Sequence, residues 1–425
     1  MNIGIIIGRY GDIDGVSLET AKWIEVLQNM GHEIFILSGA FSKYMENSVH
    51  TTLFPPLAFS SPECEWEQNR AFFFPDDEPD ELLEHLERAS EAVAIQIFKW
   101  IMANRIDVIL PQNSAALPCH LSMGMGIKKV VEHTGIKTVC HDHDFFWERG
   151  ERYISKHEEI NNLVKSTFPL QMPHVRHAVI NTHSKHYLYR NYKIDSVVVP
   201  NVMNFDKPYG QIDQYNKDML ATLGLEENNI PLLQVTRIVR RKGIEVALDL
   251  IDRLDDDRVK LVVTGSYADD ARIGYYKELL NIIDERGLND AVIFGRKRIH
   301  TYRGQTKSGE KIYSISDSYA HATACTYFSS YEGFGNAFVE CVLAKKPIFV
   351  NDYKPVYWPE IGSKGFKTVM IRDNQLTDQA VREIDEIIHN PGMASEIGEY
   401  NFHLGKKYFS YNVLEQKLFY LFSSF

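Results

Sequence analysis

Tyr331-Glu332-Gly333-Phe334-Gly335-Asn336-Ala337-Phe338-Val339-Glu340 follows the apolar run Ala324–Tyr327 and leads into an apolar helical pattern, so the segment is a strand, a glycine turn and the start of a helix. Consecutive backbone N–H groups and the positive end of the helix then converge on one point, an expected anion site. Gly333 and Gly335 allow a ligand to approach the backbone closely. Glu332 and Glu340, eight positions apart, set one carboxylate before the helix and another two turns along it, both able to accept from hydroxyl groups.

The same alternation runs outward from this segment. In the second half, Leu232–Val235, Lys260–Thr264, Val292–Phe294, Ala324–Tyr327 and Pro347–Val350 are expected strands. In the first half, Ile3–Ile7, Glu33–Leu37, Asp107–Leu110, Lys137–Cys140 and Ala178–Asn181 are the counterparts. Helical patterns lie between them, as in βαβ units with parallel sheets. Ser17–Met30 is one such helix, with Ser17 as its cap and Leu18, Ala21, Ile24 and Leu27 on one face. Thr51–Pro79 is rich in Pro, Phe and Glu with little periodicity and is expected to leave the sheet. The polar stretch Asn201–Tyr215, carrying Pro208 and Gly210, is the expected hinge.

The fold class is therefore α/β, with two doubly wound, Rossmann-like domains facing across a cleft. Residues 1–200 form the first, residues 201–402 the second, and a terminal helix over about 403–425 packs back on the first. In doubly wound sheets ligands sit beyond the carboxyl ends of the strands, which directs attention to the loops after them.

Composition narrows the function. Hydrophobic residues make up 44% and charged residues 24% of 425, a globular balance that excludes disorder and fibrous repeats. A net charge of −11 without a dense Lys/Arg block argues against a nucleic-acid partner. Five cysteines without a CxxC suggest neither a disulfide framework nor a zinc site, and point to a reducing, cytoplasmic setting. The chain runs from Met1 straight into an apolar segment with no basic leader. No apolar run approaches the ~20 residues that span a bilayer, so integral membrane contact is not expected.

Four further loops carry chemistry. Thr236-Arg237-Ile238-Val239-Arg240-Arg241-Lys242-Gly243 follows a strand and supplies fixed cations, with Arg237 and Lys242 the candidates and Arg240 and Arg241 read as solvated surface charge. Gly8-Arg9-Tyr10-Gly11-Asp12-Ile13-Asp14-Gly15-Val16-Ser17 follows the first strand, but its glycine spacing differs from the dinucleotide fingerprint, which disfavours a nicotinamide cofactor. Cys140-His141-Asp142-His143-Asp144 ends another strand. Leu110-Pro111-Gln112-Asn113 leads through to His120, where helix capping and packing compete with a binding role.

Around Glu332 and Glu340 the chain resembles the retaining glycosyltransferases of family 4, whose GT-B signature is two glutamates separated by seven residues about a Gly-Phe-Gly turn. The resemblance extends along nearly the whole chain, and Asn336 departs from the aliphatic residue common at its position. It implies that Glu332 contacts the donor sugar and Glu340 the ribose, while the amides of Gly333, Phe334, Gly335 and Asn336 bind the sugar and diphosphate. Arg237 and Lys242 match the family's diphosphate-binding Arg and Lys. Gly15 and Asp14 fall on the loop that faces donor phosphate and acceptor. His141 matches a histidine beside the transferred sugar, with His143 the second choice. Asn113 and His120 lie in the domain that usually recognises the acceptor, and Gly265, in Thr264-Gly265-Ser266, on a nucleotide-facing loop. The alternation His141-Asp142-His143-Asp144 could instead bind a metal, and Asp142-x-Asp144 resembles the carboxylates of the other large glycosyltransferase fold. Because Arg237 and Lys242 already supply the charge, neither metal nor cofactor is expected.

The resemblance thus implies transfer of a hexose, mannose or glucose, from a nucleotide diphosphate sugar (GDP-mannose or UDP-glucose) to a hydroxyl of a small soluble glycoside or sugar. The combination Asp14–Ser17, Asp144–Arg149 and Glu332–Asn336 looks like the mannosylglucosylglycerate-synthase-like subgroup. A GT-B-like nucleotide-sugar 2-epimerase and a non-catalytic nucleotide-sugar-binding protein are the alternatives, and oligomeric state is left open. No lysine stands out as a Schiff-base partner, which disfavours a pyridoxal-phosphate phosphorylase.

Overall fold

The computed structural model describes residues 1–11, 14–42, 49–266 and 274–423; Asp12 and Ile13 of the first loop and the last two residues of the terminal stretch lie outside them. Two compact units result, one of residues 1–202 with 411–425 and one of residues 203–410.

The first unit is built on β1 (Asn2–Ile7), β2 (Glu33–Ser38), β3 (His50–Leu53), β4 (Val108–Pro111), β5 (Lys137–Asp142), β6 (Val175–Val179) and β7 (Ser196–Val198). They form one sheet in the order β3-β2-β1-β4-β5-β6-β7, every pairing parallel. Such strands are buried on both faces, which is why they are near-continuous apolar runs. One face packs Trp23, Ile24 and Leu27 with Leu414, Leu418 and Leu421; the other packs Val93, Ile97 and Trp100 with Ile127 and Val131.

Three expectations need correction in this unit. The first helix is Gly15–Asn29 and its cap is Asp14, whose Oδ1 accepts from Val16 N and Ser17 N at 3.0 Å each. Leu18 and Ala21 are exposed, and the buried face is Thr20, Trp23, Ile24 and Leu27 together with Ser17 and Glu19. The two polar residues turn inward because they find partners: Ser17 Oγ donates to Arg9 O, and Glu19 accepts from Lys22 Nζ and Val202 N. Thr51–Leu53 does not leave the sheet; it pairs along the open edge of β2, where mostly exposed side chains conceal the strand pattern.

The second unit contains β8 (Ile230–Gln234), β9 (Val259–Val263), β10 (Val292–Phe294), the short β11 (Ile299–His300), β12 (Gly304–Gln305) and β13 (Lys311–Ser314), then β14 (Ala324–Tyr327), β15 (Ile348–Asn351) and β16 (Val369–Ile371). Its main sheet has the order β10-β9-β8-β14-β15-β16, again all parallel, and β11 to β13 form a small separate sheet. The edge strand β16 is three residues long and carries too little pattern to be found in advance. The expected hinge is not a loose linker beyond Met203. Phe205 is buried, Gly210 N donates to Ser316 Oγ at 3.0 Å, and Tyr209 packs on Tyr319, all within the second unit.

The expected single terminal helix is two. Pro391–Phe409 belongs to the second unit and Tyr411–Ser423 to the first, where Tyr411 donates to Glu25 at 3.2 Å and Leu414, Leu418 and Leu421 enter the core. Among the described residues no helix is long and apolar enough to cross a membrane.

Candidate functional site

Strand order reverses between β8 and β14 in the second unit, the place where the loops of a doubly wound sheet part and leave room for a ligand. The loop after β8 carries Arg237–Lys242, and the loop after β14 carries Glu332–Gly335. Parallel pairing of β8 with β14 lays these loops side by side, although they lie some 90 residues apart in sequence.

The result is a buried ion-pair cluster. Lys242 Nζ binds Glu332 Oε1, and Arg241 Nη1 donates to Glu332 Oε2 at 3.2 Å and to Tyr331 O at 2.7 Å. Glu332 and Lys242 are each only 9% exposed. Burial alone would raise the Glu332 carboxyl, but Lys242 and Arg241 outweigh it and hold the group below its ordinary range. Burial pushes the Lys242 ammonium down; Glu332 pulls it back, while Arg241 and Arg237 add to the push. Tyr327 and Ser329 complete the shell with hydrogen bonds to Glu332. Gln234 Nε2 donates to the Lys242 carbonyl at 3.0 Å and Thr326 Oγ1 to Gln234 Oε1 at 3.0 Å, which ties the cation loop to both strands. Arg237 is exposed beside this cluster.

Arg241 therefore is no mere solvated charge, whereas Arg240 stays at the surface, where it pairs with exposed Glu278 and lies over the Tyr275 ring. Tyr327, Ser329 and Gln234 were missed as well. No local pattern marks them, since each acts through a partner on a neighbouring strand.

The turn leads into the helix Asn336–Leu343, with Gly335 at its cap. Gly335 has φ 137°, and a Cβ there would stand 2.4 Å from the Tyr353 hydroxyl, which donates to Phe334 O at 2.8 Å. The Phe334 ring is buried and meets Phe409 edge-on, so only its backbone is offered to a ligand. Glu340 lies half-buried on the second turn and accepts from Tyr319 at 3.4 Å. Gly265 sits where the loop after β9 crosses that after β8, and a Cβ there would lie 1.8 Å from Thr236 O. Close backbone packing alone accounts for this glycine.

In the first unit the reversal falls between β1 and β4. His141, at the end of β5, is fully buried, stacked on Trp23 at 3.9 Å and 4.2 Å from the His143 ring. Its Nδ1 faces Gln112 Oε1 at 2.8 Å, and its Nε2 has no hydrogen-bond partner among the described residues. Burial pushes His141 well below the usual range, helped by His143. His143 is lowered to about 4, by burial first, with Lys22 adding to it against Asp14; among the described residues its Nε2 also lacks a partner. Two neutral rings thus each keep an unsatisfied nitrogen, the kind of group a ligand satisfies.

The other expected acceptor residues are occupied. Asp14 caps its helix and also receives Ser17 Oγ and Arg9. Asn113, at φ 53°, accepts from His143 N and Asp144 N and donates to Asp144 Oδ1, so it is a strut for the β5 loop. His120 is a correction. It is 1% exposed, its Nε2 lies 2.7 Å from Pro56 O, and its Nδ1 caps the next helix at Met123 N and lies 3.4 Å from buried Glu67. No ring nitrogen is left for an acceptor. His120→Ala is expected to cost about 2–4 kcal/mol of stability, because Glu67 loses a buried partner, while kcat of the folded fraction is unchanged; thermal unfolding and assay of the soluble protein check both. Gly15 is exposed, and among the described residues nothing lies within 4 Å of its Cβ position, so none of them demands the glycine by packing.

The metal alternative is dispersed by the strand itself, which points His141 and Asp142 to opposite faces. Asp144 pairs with Arg149 and Asn113. Asp142 instead meets His177 Nδ1 at 2.7 Å near Cys140, and His177 Nε2 lies 3.0 Å from Leu170 O, so that ring is engaged by the protein on both sides. The first unit also has a groove of about 630 Å³ lined by Val175, Arg176, Ser196 and Tyr420, but it lies at the starts of β6 and β7, the end of the sheet away from the motif loops.

Known proteins share this architecture. Residues 217–403 match the family model described as glycosyl transferases group 1. The mannosylglucosylglycerate synthase of Thermotoga maritima is 31% identical, with 98% of this chain and 99% of that protein covered. A glycosyltransferase from Rickettsia africae superposes with a TM-score of 0.68 at 15% identity, covering 99% of this chain and 97% of that one. Anabaena HepE, solved with UDP and glucose, superposes with a TM-score of 0.65 at 13% identity, covering 100% and 99%.

Proposed function

The chain belongs to the group 1 glycosyl transferases, and on that premise we propose that it is a retaining, metal-independent hexosyltransferase acting from a nucleotide diphosphate sugar on a small soluble glycoside. The observation that carries the proposal is the buried Lys242–Glu332–Arg241 cluster just ahead of the helix Asn336–Leu343. It offers fixed cations, a carboxylate and a helix N-terminus in one place, the set that a diphosphate joined to a sugar requires. The product named for the Thermotoga relative joins mannosyl, glucosyl and glycerate units, which favours GDP-mannose over UDP-glucose as donor and an acidic glycoside as acceptor.

In this mechanism Arg237, Lys242 and the amides of Gly333 to Asn336 hold the diphosphate, Glu340 the ribose and Glu332 the sugar hydroxyls. As the bond from the sugar to the diphosphate breaks, negative charge gathers on the leaving phosphate, where the cations stabilise it. The acceptor hydroxyl attacks the same face and passes its proton to that phosphate. No carboxylate of the cluster serves as nucleophile, because Glu332 is taken up by the hydroxyls of the donor sugar while Arg241 holds its other oxygen. We assign His141 and His143, whose Nε2 atoms have no hydrogen-bond partner among the described residues, to binding the transferred sugar and the acceptor. The five free thiols support a cytoplasmic setting for this activity.

Thermal unfolding in EDTA tests the donor site. GDP-mannose at 100 times its dissociation constant is expected to add about 2.7 kcal/mol of stability, with UDP-glucose giving less. No shift with either sugar nucleotide sinks the proposal, and nucleotide-sugar conversion without an acceptor marks an epimerase instead.

A further inference from the structure

We propose that Arg241 is a positioning residue that holds the Glu332 carboxylate in place, ionised, when the donor diphosphate draws Lys242 away; this rests on the donor site proposed above. Lys242 and Glu332 are bonded to one another. Yet the chemistry needs the ammonium on the diphosphate and the carboxylate on the sugar, so donor binding breaks their pair. A buried carboxylate deprived of its only cation takes up a proton or turns away.

Arg241 prevents this from the other side. Its guanidinium holds Oε2, leaving Oε1 to Lys242, and anchors the Tyr331 carbonyl at 2.7 Å. Its own carbonyl accepts from Ser330 N at 2.8 Å and Ser330 Oγ at 3.3 Å, so side chain and backbone clamp Ser330, Tyr331 and Glu332 together. The Arg241 side chain is 37% exposed against 11% for Lys242 and Glu332, so it approaches from the surface. The groups facing Glu332 are Lys242 and Arg241 from the loop after β8, Tyr327 from β14, and Ser329 and Tyr353, with Arg237 acting on Lys242. Tyr327 and Ser329 bring no charge. Among the described residues bonded to Glu332, Arg241 is thus a cation that stays, and a guanidinium does not lose its proton.

The test compares wild type, Arg241→Gln and Arg241→Lys with GDP-mannose and UDP-glucose, by steady-state kinetics and by calorimetry in buffers of different ionisation enthalpy. For Arg241→Gln, kcat is expected to fall on the order of 10²-fold. Its donor KM stays within about threefold of wild type. The acid limb of kcat moves upward, and donor binding takes up protons over the pH range of that limb, where wild type takes up almost none. Arg241→Lys recovers most of the loss. Unchanged kcat and proton uptake in Arg241→Gln, or a fall in kcat without any shift of the acid limb, overturns the role of Arg241 while leaving the transferase assignment intact. A wild type that binds neither sugar nucleotide overturns the donor site, and this proposal with it.

Discussion

Lys242→Ala is expected to reduce kcat/KM by on the order of 10²–10³-fold, the loss seen when one preorganised charge partner of a developing oxyanion is removed. The ammonium is buried, its carbonyl is tied to Gln234 and its charge is flanked by Arg237 and Arg241, so no solvated lysine elsewhere replaces it. The same substitution should lower stability by about 1–3 kcal/mol, because Glu332 is left in a buried site with half its compensation. These effects separate in the double variant Lys242→Met with Glu332→Gln. Removing both charges relieves the unpaired carboxylate, so the melting temperature returns toward wild type while turnover stays lost. Thermal unfolding and steady-state kinetics on the three proteins decide the matter. A single variant within tenfold of wild type in kcat/KM would remove Lys242 from the mechanism.

Gly265→Ala is expected to destabilise the second unit by about 3 kcal/mol or more, a larger penalty than its one methyl group suggests. The new Cβ would stand 1.8 Å from Thr236 O and 2.8 Å from Arg237 Cα, backbone atoms that cannot swing aside as a side chain does. Relief requires the loop after β8 to move, and that loop carries Arg237 and Lys242, so donor affinity falls along with stability. Gly15→Ala is the control. With no described residue within 4 Å of its Cβ position, stability should change by no more than about 0.5 kcal/mol, and any effect should fall on substrate KM. A Gly265→Ala protein that melts within a degree or two of wild type would show that the crossing of the two loops is looser than the structure has it.

The site was only partly legible in advance. Glu332, Glu340 and the glycines between them form a contiguous segment whose strand, turn and helix are local, so their spacing announces an anion-binding turn. Arg241 looked like surface charge because nothing within a few residues of it reveals a carboxylate 91 positions away. His120 and Asn113 were read as acceptor groups from the domain they lie in, with capping and packing as the competing reading; their partners, backbone groups together with the Glu67 and Asp144 side chains, come from segments that only folding brings together. Asp14 displaced Ser17 as the helix cap by a shift of three positions, within the reach of two equally suited cap residues.

By itself, the sequence determined the elements that are continuous in the chain: two runs of buried parallel strands alternating with helices, the glycine turn with its paired glutamates, and the basic loop that follows β8. These depend on period and on backbone freedom, properties of neighbouring residues. Only the tertiary structure decided which charges meet, which histidines are buried against one another, why Gly265 must be glycine, and where the final helix belongs. Those outcomes depend on strand order and on the desolvation that packing imposes, and a carboxylate or an imidazole acquires its chemical character from neighbours that the chain supplies from far away.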